Sequence, residues 1–298
     1  MKYRIISSIL FCLLLVAETR HARHPAGTEA STEIRHIVFD IDWTLVSNLY
    51  NQKGFVGGNV VGVGDELYRV NDYALELIEE LIKHENVRIS FYSAGKEVRN
   101  IELLKKLKLP KQKTSLFDLA FKVLHYDDLA PTGIQDESVS FALRFKKDLS
   151  KISEDFQNMV MIDDDIRFAI KGSQERSFLW TGTQFLHFDS FSKAQAASVL
   201  DPNNKFIPKT YQEWSQSRLK LAMVGEILNR SLEDLEGDRS FAENVFELSK
   251  EIEISQNNYS TKKAEFLNAG NQWLGAKKSL LHSLDPDLSC RGLLLPLL

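Results

Sequence analysis

The stretch His36-Ile-Val-Phe-Asp-Ile-Asp-Trp-Thr-Leu-Val46 constrains this chain more than any other. Ile37, Val38 and Phe39 make the continuous apolar run of a buried strand. The run ends abruptly in two carboxylates, Asp40 and Asp42, followed by the hydroxyl of Thr44. A buried strand has no structural use for an acid at its end, and two acids so close repel each other. Such an ending is tolerable where a cation sits between the carboxylates, or where one of them does chemistry. Alone, an Asp-x-Asp after a strand is often a turn or a helix cap. The apolar strand before it and Thr44-Leu45-Val46 after it favour a site.

Strands and helices alternate from there on. Strands are expected at 35–39, 87–92, 121–125, 159–162 and 178–180, with an edge piece at 185–188. Gly54, Gly57, Gly58, Gly62 and Gly64, mixed with valines, suggest a glycine-broken hairpin. Asn71 or Asp72 is placed to cap a helix carrying Leu75, Ile78, Leu81 and Ile82 on one face. A second helix runs from Glu97 to about Leu107, stopped by Pro110, and a basic helix is expected around Phe141 to Leu149. This alternation implies an α/β fold, a Rossmann-like parallel sheet covered by helices on both faces. Ligands gather at the carboxyl ends of the strands in such sheets. The polar outliers stand at those ends: Asp40 and Asp42, Ser93, then Asp163 and Asp164.

At 298 residues, 43% hydrophobic and 26% charged, the chain is long enough for one large domain or two smaller ones. The net charge of -4 gives no basic field, so nucleic acid is not an evident partner. Lys2 and Arg4 precede an apolar run from Ile5 to Ala17, which is short for a bilayer span and fits a secretory leader. Residues 1–22 are therefore read as a signal peptide or an amino-terminal anchor. The protein is expected to be exported, periplasmic or secreted, with a membrane tether only through an uncleaved amino terminus. Cys12 lies within that run, and Cys290 would be left alone after cleavage, so no internal disulfide is expected. Residues 33–200 form the α/β domain, and helical periodicity marks 210–298 as a carboxy-terminal extension.

Asp40-Ile-Asp42-Trp-Thr44, Ser93, a lysine at 146 or 147 and Asp163-Asp164 resemble, in order, the four motifs of the haloacid-dehalogenase-like hydrolases. The spacing of Lys147-Asp-Leu-Ser before Val-Met-Ile-Asp-Asp164 is similar to the branch of carboxy-terminal-domain phosphatases, or NLI-interacting-factor proteins. The chain departs from that branch at Arg69-Val70, where Arg-Pro is usual, and at Trp43. The resemblance implies a magnesium-dependent phosphatase working through an aspartyl-phosphate. Asp40 would be the nucleophile and Asp42 the acid/base. Thr44, Ser93 and Lys147 would hold the phosphate, with Lys147 also orienting Asp40. Mg2+ would lie between Asp40, the backbone carbonyl of Asp42, and Asp163 or Asp164. The substrate would be a phosphorylated protein in preference to a small phosphate ester. The alternative is a catalytically silent scaffold of the same fold; a dehalogenase is disfavoured, since it has no need of Asp42.

Several neighbours have two readings. Lys147 lies in a basic run with Arg144, Lys146 and Lys151, which is otherwise a solvated helix face. Of Asp163, Asp164 and Asp165, one or two would be ligands and one a helix amino-terminal charge. Lys96 and Arg99 read as helix surface rather than as contacts to a substrate anion. Trp43, Tyr50, Phe55 and Tyr68 either line the rim of the site or pack the flap at 47–70. That flap is too small for a folded cap, so the site should be weakly roofed.

Overall fold

The structure, a computed structural model, describes residues 33–49, 59–182, 185–234, 239–256 and 260–274. The expected leader, Tyr50, Phe55, the first glycines of the hairpin and both cysteines lie outside these. From Ile34 onward the chain forms one compact unit. No helix among the described residues is long and apolar enough to cross a membrane.

In chain order the unit contains β1 (Arg35–Phe39), β2 (Val46–Asn48), β3 (Val60–Val63), β4 (Glu66–Val70), α1 (Ala74–Leu81), β5 (Val87–Tyr92) and α2 (Glu97–Lys106). There follow α3 (Leu116–Leu119), β6 (Lys122–Leu124), β7 (Ala130–Pro131), α4 (Phe141–Arg144), β8 (Phe145–Lys146), β9 (Met159–Asp163) and β10 (Phe178–Trp180). The last elements are α5 (Phe191–Leu200), α6 (Tyr211–Glu233), α7 (Phe241–Glu251) and α8 (Thr261–Trp273).

Five strands form the main sheet in the order β10-β9-β1-β5-β6, every pair parallel. Numbered within that sheet alone, the order is that of a doubly wound fold, in which the chain proceeds first to one side of β1 and then to the other. β1 is central because it is apolar on both faces. Ile37 and Phe39 join one core with Ile89, Phe91, Val160 and Ile162, while Val38 joins another with Tyr92, Met159 and Met161. The alternation of side chains along a strand sends them to opposite faces.

The first face carries α1 and α2, and also the carboxy-terminal helices: Leu219, Ala222, Val224 and Ile227 of α6, Val245 of α7 and Phe266 of α8 belong to the same core. The segment expected as an extension thus covers the sheet. Each large apolar side chain buried there contributes about 1.5–3 kcal/mol.

Three local expectations are corrected. Neither Asn71 nor Asp72 caps α1, whose N-cap is Tyr73 at φ 67 with no side-chain cap. Asn71 Nδ2 instead donates to the Thr44 carbonyl at 2.8 Å, and Asp72 pairs with Arg69 at 3.2 Å and with Arg218 of α6. The basic helix is only the single turn α4; Phe145–Lys146 is extended and pairs with β7. Phe141 packs on Phe145 at 4.8 Å, with Tyr126 and Phe168 alongside, which draws the chain inward after one turn. No strand forms at 185–188. The Phe188 carbonyl is taken by Trp214 Nε1 at 2.9 Å and Arg218 Nη1 at 3.0 Å rather than by a ladder. α5 lies in a region for which periodicity gave no helix.

α8 packs tightly against α6. A Cβ on Gly270 would sit 2.0 Å from the Ala222 carbonyl oxygen. Alanine favours a helix over glycine by about 1 kcal/mol, yet the clash should prevail. Gly270→Ala is expected to destabilise the whole unit by about 1–3 kcal/mol in a urea titration. An unchanged midpoint would mean that the helices do not approach so closely.

Candidate active site

Asp40 follows β1 directly, and its N–H donates to the Ile162 carbonyl at 2.9 Å, which ties the end of β1 to the end of β9. This is the point where the strand order reverses. Asp163 ends β9 and is fully buried. Between the two carboxylates lies the ammonium of Lys147, 2.7 Å from Asp40 Oδ1 and 2.7 Å from Asp163 Oδ2. The extended backbone at β8 decides which lysine enters. Successive side chains point to opposite sides of such a chain. Lys147 turns inward and is 1% exposed, while Lys146 donates to the Ala142 and Arg167 carbonyls.

Asp40, Asp163 and Asp164 each bring a carboxylate oxygen within 4.8 Å of the others. Burial works against the charge on Lys147, but Asp163 and Asp40 outweigh it and hold the ammonium above the usual lysine range. Burial raises Asp40; Lys147 opposes this, and Asp163, Asp164 and Asp42 add to it. Asp164 is pushed up to about 7, first by burial and then by Asp163. One ammonium cannot neutralise three carboxylates, so the cluster takes up either protons or a divalent cation. An all-oxygen set of carboxylates fits a hard cation such as Mg2+.

The turn after β1 is tight. Trp43 adopts φ 64, in the left-handed region, and its N–H donates to the Val46 carbonyl at 2.7 Å. A non-glycine residue there carries strain of about 1–3 kcal/mol, held by the hydrogen bonds from Asn71 to the Trp43 and Thr44 carbonyls. The turn leaves Asp42 partly exposed, 32% at its side chain. Its Oδ2 accepts from Ser93 Oγ at 3.1 Å, and Arg99 grips both oxygens, at 2.9 and 2.5 Å. Thr44 is 2% exposed, and its hydroxyl has no hydrogen-bond partner among the described residues. A buried hydroxyl without a partner is costly.

Asp165 turns away from the cluster, caps the 166–168 turn and pairs with Arg167 at 2.7 Å. Lys96 stays exposed at the start of α2. Arg99, read from sequence as helix surface, is in fact bound to Asp42. Trp43 stacks on Phe206 at 6.4 Å, so the connector before α6 contributes to the rim. Tyr68 is buried, with the Arg99 guanidinium 5.5 Å from its ring centre. Arg69 is buried, and donates to the Val70 carbonyl and Asp72.

Lys220 of α6 was not foreseen. It is 2% exposed, and its ammonium has no hydrogen-bond partner among the described residues. Burial lowers it to about 7, with Asp164 opposing and Lys263 reinforcing the effect. The signal was a lysine inside the apolar run Leu219-Lys-Leu-Ala-Met223.

No protein-family model matches the chain, and no curated protein matches it by sequence. Among solved structures, it is similar to the fission yeast RNA polymerase II CTD phosphatase Fcp1 bound to beryllium fluoride. Identity is 12% and the TM-score 0.37, over 74% of this chain and 72% of that one. A second structure of Fcp1, described as an essential RNA polymerase II CTD phosphatase, is 14% identical. Its TM-score is 0.33, over 82% of this chain and 63% of that one.

Lys220 yields a pH test. Its folded value, about 7, lies below its unfolded value, 10.5. The native state therefore loses a proton that the unfolded chain keeps between these pH values, and stability from this group rises with pH across that window. The burial penalty is present in full below pH 7. Lys220→Met is expected to raise the melting temperature more at pH 6 than at pH 10. An equal shift at both would mean that the ammonium is hydrated.

Proposed function

We propose that this protein is a magnesium-dependent phosphatase that hydrolyses phosphate monoesters through an aspartyl-phosphate on Asp40. The observation that carries this reading is the single ammonium of Lys147 shared by Asp40 and Asp163, beside Asp164, at the switch point of a doubly wound sheet. Lys147 favours the ionised form of Asp40 against its burial and fixes one of its oxygens, leaving Oδ2 as the attacking atom. Asp163 and Asp164, with Asp40 and the Asp42 carbonyl, would hold the cation. Bound there, Mg2+ offsets the repulsion between carboxylates and phosphate and polarises the phosphoryl oxygens.

Asp40 attacks phosphorus in line. Asp42 gives its proton to the leaving oxygen, then takes one from the water that cleaves the aspartyl-phosphate. Thr44 Oγ1 and Ser93 Oγ would hold phosphate oxygens. Ser93 is buried and already touches Asp42, so phosphate and acid/base would share it.

A phosphorylated protein is the favoured substrate, with a small ester second. The stretch from Lys147 to Asp163 holds only two short turns, which leaves no cap over the site from that side. The charged and then apolar amino terminus supports an exported enzyme. A silent scaffold of the same fold would keep the sheet without turnover.

The test is turnover of an aryl phosphate. Asp40→Asn is expected to abolish it, and EDTA to do the same to the wild type, with recovery on added Mg2+. Full activity in both experiments would refute the mechanism. No activity in the wild type toward phosphotyrosine, phosphoserine peptides or small esters would favour the scaffold.

A further inference from the structure

The chemistry above gives Arg99 no task, yet its guanidinium is the best-placed cation at the rim. Its two terminal nitrogens donate to the two oxygens of Asp42, at 2.9 and 2.5 Å. A fork of this kind matches a carboxylate and offers no acceptor to a protonated one. Latched in this way, both oxygens of Asp42 are taken by donors, and the leaving oxygen needs one of them free.

The fold keeps room for this contact. Gly95, between Ser93 and α2, lies so close that a Cβ there would sit 2.0 Å from Arg99 Nη2. The Tyr68 ring flanks the guanidinium from β4. Lys147 is sealed in, but the Arg99–Asp42 pair is open, with 20% and 32% of the two side chains exposed. The leaving oxygen has to come within hydrogen-bond reach of Asp42, and that puts the leaving group beside Arg99.

We propose that Arg99 is a latch on Asp42 which an anion on the leaving group releases. The site would then prefer phosphate monoesters with a carboxylate or a second phosphate a few bonds from the ester oxygen. Such an anion takes the guanidinium from Asp42; Asp42, freed, carries a solvent proton to the leaving oxygen and regains one from the water that cleaves the aspartyl-phosphate. Arg99 is thus a positioning residue that also sets specificity. The inference rests on the phosphatase reading.

The test is kcat/KM of the full chain with Mg2+ on two matched pairs: phosphoglycolate against 2-hydroxyethyl phosphate, and a phosphoserine peptide followed by Glu against the same peptide with Gln. The wild type is expected to favour the carboxylate member of at least one pair by about tenfold or more. The pair that responds separates a small acid from an acidic peptide as the source of the anion. Arg99→Gln should bring that ratio to within about threefold, and Arg99→Lys should restore part of it. Gly95→Ala should do the same as Arg99→Gln by crowding the guanidinium out, and it carries the test if Arg99→Gln fails to fold. No carboxylate preference in the wild type, or a preference that survives both Arg99→Gln and Gly95→Ala, would overturn the latch. Turnover of 2,4-dinitrophenyl phosphate, whose leaving group needs no proton, is measured alongside. Its absence in the wild type would sink the phosphatase reading itself.

Discussion

The contact on which the rest depends is the buried ammonium of Lys147 between Asp40 and Asp163. Two parallel strands end at the same place and bring their acids face to face. In a dry sheet end that arrangement is strongly repulsive. Lys147 makes it tolerable, and does so only in part, because Asp164 adds a third carboxylate to the cluster. The residual negative charge is what protons or the proposed cation would offset. The same ammonium holds only one oxygen of Asp40, which leaves the other for the attack proposed above.

A site so charged needs rigid walls. β1 is buried on both faces, and the face that carries α1 and α2 is closed by α6, α7 and α8. Those helices are tied to the site region as well as to the core. Arg218 of α6 pairs with Asp72 just after β4, and Gly182 beyond β10 leaves no room for a Cβ beside the Ser255 carbonyl. Lys220 places a further buried lysine within the electrostatic range of Asp164. The carboxy-terminal helices are therefore part of the electrostatic environment of the acids.

Much of the fold was legible because it rests on local pattern. Apolar runs ending in acids mark strand ends, and alternation with helices fixes a parallel sheet. Asp40, Asp42, Ser93, Asp163 and Asp164 stand at strand ends and were singled out for that reason. Thr44 follows in the same turn. The failures share a cause. Lys147 was preferred to Lys146 and is the internal one, but the helix expected there is an extended backbone at β8, set by the packing of Phe141 and Phe145 against Tyr126 and Phe168. Arg99 lies on a helix whose sequence is mostly polar, and only Gly95, by lacking a side chain, lets it reach Asp42. Asn71 and Asp72 look like caps because their side chains compete for nearby backbone groups; here Asn71 bonds the carbonyls of the turn at Trp43, and Asp72 pairs with the guanidinium groups of Arg69 and Arg218.

The sequence by itself determined the strands, their order of use and the acids at their ends, because burial and periodicity act over a few residues. Tertiary structure alone decided which lysine neutralises those acids, what holds Asp42, and on which face the last helices close the sheet. Those outcomes depend on groups brought together from distant parts of the chain, where charge and packing act through space and local pattern carries no trace of them.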